Sequence, residues 1–237
     1  MTTKTSPSWK PILKEALSSL DSEYFDFLQN NSGYFPTKDN FLNAFKTLPL
    51  EKTKYILFGQ DPYPRYESAG GYAFIDLKVK TLFAEDGGFS KEVNKATSLR
   101  NMMKMFLLCE GELSDDFSKE AVKKIDTTRY INSIQDLRKN FEKNGVLLLN
   151  TALVFSTKQD TKYHAKMWKP FIDSFLEQIS SHDIKLILFG NISKEISKLK
   201  SSLSFEKIFL PHPYNISFIT NPDAINLFGD MHLLRVD

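Results

Sequence analysis

The stretch KYILFG (Lys54–Gly59) is almost entirely apolar and returns later in the chain as KLILFG (Lys185–Gly190). Two further runs, VLLL (Val146–Leu149) and KIFL (Lys207–Leu210), have the same character. Each run is about as long as a β-strand, has few polar residues inside it, and is followed by a turn residue or a polar residue. Such runs are typical of strands buried on both faces of a parallel sheet.

Segments with helical periodicity lie between these runs. The spacing of apolar residues predicts helices over Ser98–Leu108, with Ser98 as a candidate cap, over Ile131–Phe141 and over Trp168–Ile179. Alternating strands and helices predict an α/β fold: a three-layer single domain over residues 1–237, with a central, mostly parallel four-stranded sheet flanked by helices. The polar stretch Glu110–Arg129 is predicted to be a surface insertion.

Composition narrows the class of protein. Among 237 residues, 31 basic side chains nearly balance 29 acidic ones, so nucleic-acid binding would depend on a local patch. Cys109 is the only cysteine, which excludes an intrachain disulfide and a multi-cysteine metal centre. The chain has neither a signal-peptide pattern nor an apolar run of the ~20 residues that a membrane span needs. We therefore expect a cytoplasmic protein that does not enter a membrane.

The strand ends predict where the chemistry lies, because α/β sheets bind ligands beyond the carboxyl ends of their strands. Asp61 follows the first run, Asn150 the second, and His212 the fourth. Ordinary turn chemistry is the alternative for each residue taken singly. Phosphate-binding loops, dinucleotide fingerprints, HExxH zinc motifs and serine nucleophile elbows are all absent from the sequence, and the four histidines lack metal-ligand spacing.

Six segments, taken together and in order, resemble the family-one branch of uracil-DNA glycosylases. They are YFPTKDNFLNAF (Tyr34–Phe45), GQDPYPRYESAGGYAF (Gly59–Phe74), TSLRNMMK (Thr97–Lys104), GVLLLNTALVF (Gly145–Phe155), YHAKMWKPF (Tyr163–Phe171) and PHPYNIS (Pro211–Ser217). The resemblance implies a base-excision-repair enzyme that hydrolyses the N-glycosidic bond of uracil in DNA and leaves an abasic site. It implies no cofactor and no metal.

The same resemblance assigns roles to individual residues. Asp61 is predicted to orient the attacking water, and His212 to hydrogen-bond the uracil carbonyl oxygen on which charge develops. The predicted uracil-binding residues are Gln60, Tyr63, Phe74 and Asn150. Among these, the Asn150 amide would match the uracil edge, the Phe74 ring would stack on the base, and Tyr63 would exclude the thymine methyl.

Predicted DNA contacts lie on several other segments. They are Ser98, His164, Pro213, Ile216 and Ser217, with Ile216 as the wedge that fills the space of the flipped base. For His164, a surface or core position is an alternative. Lys158, Lys162 and Lys166 could add charge, although a solvated lysine face is the default interpretation.

The predicted partner is uracil-containing DNA, single- or double-stranded, bound by a monomer, and the family adds a proteinaceous inhibitor. Two alternatives stay open: a non-catalytic DNA-binding relative, and a glycosylase with a different base range. Three departures from the family pattern concern the grip on DNA: Pro64 replaces a histidine, NKATSLRN (94–101) lacks prolines, and HPYNIS (212–217) replaces HPSPLS. These departures predict a stronger preference for single-stranded DNA.

Overall fold

The computed structural model describes residues 4–236 of the chain. Its strands are β1 (Tyr55–Gly59), β2 (Val146–Asn150), β3 (Lys185–Phe189) and β4 (Lys207–Leu210). Its helices are α1 (Lys10–Ser18), α2 (Ser22–Asn30), α3 (Lys91–Lys95), α4 (Thr97–Cys109), α5 (Lys119–Lys123), α6 (Ile134–Lys143), α7 (Thr161–Gln178), α8 (Ile192–Ser197) and α9 (Pro222–Gly229). Within residues 4–236, no helix is long and apolar enough to cross a membrane.

The four strands form one sheet in the order β2-β1-β3-β4. β1 runs parallel to both β2 and β3, and its last residue, Gly59, is the register partner of Asn150 at the end of β2. The predicted α/β class, with a mostly parallel four-stranded sheet flanked by helices, is confirmed. Because β1 and β2 end level with each other, the segments that follow them start side by side.

Strand β4 is less buried than the other three strands. Nearly every residue of β1, β2 and β3 is buried, as the continuous apolar runs predict. β4 stands at one end of the sheet, and its Phe209 is 55% exposed. For β4 the prediction of burial on both faces is therefore wrong.

The chain divides into two compact units. The first unit comprises residues 4–76 and 145–209 and holds nearly all of the sheet. In it, Ile56 and Phe58 of β1 belong to the same buried cluster as Leu13 of α1 and Trp168 of α7. Helices α1 and α7 therefore cover one face of the sheet. The assignment of the whole chain to a single domain stays a prediction.

The second unit comprises residues 77–144 and 210–236. Its helices α4, α6 and α9 meet at Phe106, Phe141 and Phe228, whose rings pack edge to face with centroids 5.9 to 6.4 Å apart. Helix α4 begins at Thr97 after Ala96 and has no side-chain cap. The prediction that Ser98 caps this helix is therefore wrong, because Ser98 lies inside the first turn.

The predicted surface insertion, Glu110–Arg129, contains the short helix α5. Ser118 caps this helix by accepting a hydrogen bond from the Ala121 N–H at 3.1 Å. Most of the charged residues in the stretch are exposed or partly exposed, whereas Leu113 and Val122 are buried. The stretch is therefore anchored to the second unit by apolar side chains.

Candidate active site

The segments that follow β1 and β2 are tied together by hydrogen bonds. The Thr151 N–H donates to the Gly59 carbonyl at 2.9 Å, and the Ala152 N–H donates to the Gln60 carbonyl at 2.9 Å. The Thr151 hydroxyl also donates to the Gln60 carbonyl, at 2.8 Å. These bonds hold the loop after β1 against the end of β2. The prediction that these two strand ends lie together is confirmed.

Asp61 stands at the start of the loop after β1 and is partly buried. Burial raises the pKa of its carboxyl above the ordinary value, and a hydrogen bond from its own backbone opposes this rise. A carboxylate with reduced hydration interacts more strongly with nearby charge and binds a water molecule more firmly. The position can therefore orient a water and stabilise positive charge on a substrate.

Asn150 is the last residue of β2 and is only 5% exposed. Its carboxamide lies over Gly59, the position that faces it across the β1–β2 ladder. A carboxamide presents one acceptor oxygen and two donor hydrogens in a fixed plane. Held at a buried strand end, it can distinguish the hydrogen-bonding edges of planar bases.

Tyr63 and Phe74 occupy the two ends of the loop that runs on from Asp61. The Tyr63 hydroxyl donates to the Phe74 carbonyl at 3.4 Å. Phe74 adopts a φ of 62°, in the left-handed region that non-glycine residues rarely enter, and its ring packs edge to face on Phe189 at 5.2 Å. Such a backbone conformation costs of order 1–3 kcal/mol and often marks a functional position.

An ion pair that the sequence did not reveal closes the same loop. Nη2 of Arg65 lies 3.1 Å from Oδ2 of Asp76, whose side chain is 5% exposed, and Arg65 Nε donates to the Ser68 hydroxyl at 3.2 Å. Burial raises the pKa of the Tyr63 hydroxyl, and the Asp76 carboxylate adds to this rise. Tyr63 therefore stays neutral. No pattern in the sequence identifies two charged residues eleven positions apart as partners.

His212 belongs to the second unit and follows β4 directly after Pro211. Its Nδ1 accepts a hydrogen bond from the Tyr214 N–H at 3.0 Å. Burial lowers the pKa of the imidazole. A neutral ring whose Nδ1 is an acceptor carries its proton on Nε2. His212 can therefore act as a neutral hydrogen-bond donor.

The remaining predicted DNA contacts of the second unit differ in exposure. Pro213 is buried, Ser98 is partly buried in the first turn of α4, and Ser217 is exposed. Ile216 is 78% exposed at the start of a short 3-10 turn, Ile216–Phe218. An exposed apolar side chain on a loop has the character that a wedge requires.

The structure corrects the DNA-binding prediction for His164. This histidine lies on α7 and is 2% exposed. Its Nδ1 is 2.7 Å from the Tyr24 hydroxyl and its Nε2 is 2.8 Å from the Ser156 hydroxyl. Both ring nitrogens are therefore occupied inside the protein, and burial lowers the pKa of the ring. The alternative of a core histidine is the correct one.

Asn101, a buried residue of α4, is a functional candidate that the sequence analysis missed. Its side-chain amide donates to the Pro213 carbonyl at 2.8 Å and to the Tyr214 carbonyl at 3.3 Å. The only signal in the sequence was its place in the segment TSLRNMMK (97–104), where Ser98 was the predicted DNA contact.

Comparison with known proteins finds a matching family model, similar sequences and a similar solved structure. The model of the uracil DNA glycosylase superfamily matches residues 45–228. The uracil-DNA glycosylase of Amoebophilus asiaticus is 30% identical over 249 residues, which cover 100% of this chain and 94% of that protein. The wild-type UNG crystal structure from Nitratifractor salsuginis has a TM-score of 0.96 and 46% identity, covering 99% of this chain and 94% of the other.

A more distant structure shares the fold alone. Mimivirus UNG Y322L in complex with UGI has a TM-score of 0.57 and 17% identity, and the match covers 90% of this chain and 71% of the other.

Proposed function

This chain belongs to the uracil DNA glycosylase superfamily and releases uracil from DNA as a repair hydrolase, and we propose how its side chains divide that reaction. Hydrolysis of the N-glycosidic bond needs a water nucleophile, stabilisation of positive charge on the sugar, and stabilisation of the departing uracil anion. The observation that carries the assignment is Asp61, a partly buried carboxylate at a strand end that hydrogen bonds tie to the segment after Asn150.

Asp61 is assigned the first two tasks. Its ionised carboxylate accepts a hydrogen bond from the attacking water and holds it in place. The same negative charge stabilises the oxocarbenium-like sugar of the transition state. Reduced hydration strengthens both effects, because less water screens the charge.

Asn150, Tyr63 and Phe74 are assigned the recognition of the base. The Asn150 amide accepts from uracil N3–H and donates to uracil O4, whereas cytosine presents the opposite pattern and would leave buried groups unpaired. The Phe74 ring stacks on the extruded base. The Tyr63 ring fills the space beside uracil C5, where thymine carries its methyl group. Gln60 lines the pocket with its backbone.

His212 is assigned the stabilisation of the leaving group. Its Nε2–H would donate to the uracil carbonyl oxygen on which negative charge develops, and this interaction strengthens in the transition state. A neutral donor is sufficient for this task. The lowered pKa of His212 and the acceptor role of its Nδ1 support the assignment.

Contacts to DNA are assigned to four residues of the second unit: Ser98, Pro213, Ile216 and Ser217. Serine hydroxyls and backbone amides would bind phosphates without reading sequence. A proteinaceous inhibitor is a further proposed partner, supported by the mimivirus relative that was crystallised with UGI.

The retained site residues favour a catalyst over a non-catalytic DNA-binding relative. A binding scaffold has no need of a poorly hydrated carboxylate at Asp61 or of a neutral donor at His212. A glycosylase with another base range would have no use for the Tyr63 wall, which would exclude a methyl group at C5. An assay of base release tests both alternatives: a non-catalytic protein would release no base, and a glycosylase with another base range would release a base other than uracil.

The test is incubation of the purified chain with uracil-containing oligonucleotides, single-stranded and duplex, followed by alkali and gel electrophoresis. We expect strand cleavage at uracil and none in matched oligonucleotides with cytosine or thymine. Asp61→Asn should lower the single-turnover rate by at least about a hundredfold, the lower end of general-base effects, without weakening DNA binding. Near wild-type cleavage by that variant would remove Asp61 from the mechanism.

A further inference from the structure

Asn101 fastens the backbone that follows His212. Its side chain is 5% exposed on α4, and both of its amide contacts are carbonyl oxygens of that backbone: Pro213 at 2.8 Å and Tyr214 at 3.3 Å. A carboxamide has two donor hydrogens, so this pair of acceptors uses its full donor capacity.

The same short segment, which follows His212 in the chain, determines which tautomer the His212 imidazole adopts. The Tyr214 N–H donates to His212 Nδ1 at 3.0 Å, and the Asn215 N–H donates to the His212 carbonyl at 2.9 Å. A ring nitrogen that accepts a hydrogen bond carries no proton. The orientation of one peptide N–H therefore determines which nitrogen of His212 is the donor.

Beyond the buried Pro213, packing contributes little to the orientation of this segment. Residues 214–217 are all exposed, and Tyr214 is 66% exposed. Loops with few buried contacts open locally at low cost unless hydrogen bonds hold them. Asn101 reaches this segment from a buried helix position, and it therefore supplies a rigid attachment.

We propose that Asn101 is a positioning residue for His212. By holding the Pro213 and Tyr214 carbonyls, it orients the Tyr214 N–H and thereby keeps the His212 proton on Nε2 and the ring in one orientation. The effect on catalysis rests on the proposed role of His212, whereas the effect on the tautomer does not.

The first test is NMR of the full chain with ¹⁵N-labelled histidine, comparing Asn101→Ala with Asn140→Ala. Asn140 is a matched control in the same unit, since its buried amide donates to the Leu233 carbonyl at 2.9 Å and to the Arg235 carbonyl at 3.0 Å. In Asn101→Ala we expect mixed His212 tautomers and exchange of the Tyr214 amide at least about tenfold faster, as loss of one or two hydrogen bonds implies. Asn140→Ala should leave both signals as in the wild type.

The second test is single-turnover uracil release. Asn101→Ala should lower the rate at saturating enzyme by about tenfold, less than the 10²–10³ typical of removing a donor outright, with little change in the half-saturating concentration. If the alanine variant does not fold, Asn101→Ser retains one donor and should show a smaller effect of the same kind.

An unchanged His212 tautomer and unchanged Tyr214 exchange in folded Asn101 variants would overturn the proposal, and so would equal changes in the Asn140 control. Absence of uracil release by the wild-type chain would instead contradict the proposed function. The NMR comparison would still decide the role of Asn101 in that case.

Discussion

A Cβ atom added to Gly59 would stand 2.2 Å from Oδ1 of Asn150, its register partner across the β1–β2 ladder. The same atom would also lie 2.8 Å from the Cβ of Ala73. Neither neighbour is the free end of a long side chain, so both would have to move. The missing side chain of Gly59 therefore leaves the space that the Asn150 amide occupies.

Gly59→Ala should reduce uracil release far more than it reduces stability. A displacement of about 1 Å at a catalytic or binding group can cost about a hundredfold in rate, and we expect a loss of that size in kcat/KM. Gly229→Ala is the matched control, because the nearest atom to its Cβ would be Cys109 Sγ at an ordinary 3.9 Å. Equal activity of the two variants in a single-turnover assay would show that the Asn150 amide has room to move.

Because the pKa of Asp61 is raised, acidification is expected to lower the activity of the enzyme while it removes a destabilising effect of this residue on the fold. Burial raises the pKa of this carboxyl, so its ionised form opposes folding at neutral pH. This destabilisation declines as the pH falls from the raised pKa of the folded state to the ordinary pKa of the unfolded state. Asp61→Asn should therefore unfold at the same temperature as the wild type or higher at pH 7, with the difference vanishing in acid.

Uracil release by the wild type should fall with acidification at a pH above the ordinary pKa of aspartate, because the proposed role of Asp61 requires the ionised carboxylate. Calorimetry of the variant and the wild type across pH checks the effect on stability. The single-turnover rate of the wild type at acidic pH checks the effect on activity. A variant clearly less stable than the wild type at pH 7 would mean that Asp61 makes stabilising contacts as an anion.

We expect Tyr63 to exclude thymine by the volume of its ring. Its hydroxyl makes one long hydrogen bond, 3.4 Å to the Phe74 carbonyl, so the ring rather than the hydroxyl is expected to matter. Tyr63→Ala should release thymine from DNA, whereas Tyr63→Phe should retain selectivity for uracil. Product analysis with uracil and thymine oligonucleotides checks this, and thymine release by Tyr63→Phe would assign the selectivity to the hydroxyl.

The sequence predicted the structure best at the strands and at the residues that follow them. The strand runs and the residues that follow them were predictable because a parallel sheet buries its strands and exposes their carboxyl ends. The start of α7 was not predictable. The spacing of apolar residues predicted a start at Trp168, whereas the helix runs from Thr161 with Pro170 inside it. That longer helix carries His164 into the core.

Partners distant in sequence were also beyond prediction. Asn101 bonds residues more than a hundred positions later, and Arg65 pairs with Asp76 across a loop. Polar side chains of these types are common on surfaces, so only the fold reveals which of them are buried and paired.

Asn150→Asp should change which base is released. A carboxylate cannot donate to uracil O4, so uracil release should fall by at least about a hundredfold, which is modest for a lost hydrogen bond in a buried recognition site. One of its oxygens can accept from the cytosine amino group and the other, when protonated, can donate to cytosine N3, so measurable cytosine release is expected. The measurement is base release from oligonucleotides that differ only at the target base. A folded variant that gains no cytosine activity would contradict the assigned contact.

The last prediction concerns the strand preference. Extruding a base from a duplex costs a few kcal/mol of unstacking and unpairing, and much less from a single strand. A wedge offsets this cost by occupying the vacated stack, and Ile216 has the required exposure at 78%. Isoleucine is branched at Cβ, so it is stiffer and reaches less far than leucine. Beside it, Tyr214 is 66% exposed where the family has serine.

We therefore expect the chain to act faster on single-stranded than on duplex uracil DNA, by a larger ratio than in a relative with HPSPLS. Ile216→Ala should lower the duplex rate while leaving the single-strand rate nearly unchanged, since only the duplex needs a wedge. The triple change Tyr214→Ser, Asn215→Pro and Ile216→Leu should narrow the ratio. Single-turnover rates on both substrates at one fixed salt concentration measure it, because salt alone shifts binding to the two forms differently. Equal rates on the two substrates in the unaltered chain would show that its loop extrudes a paired base without the usual wedge.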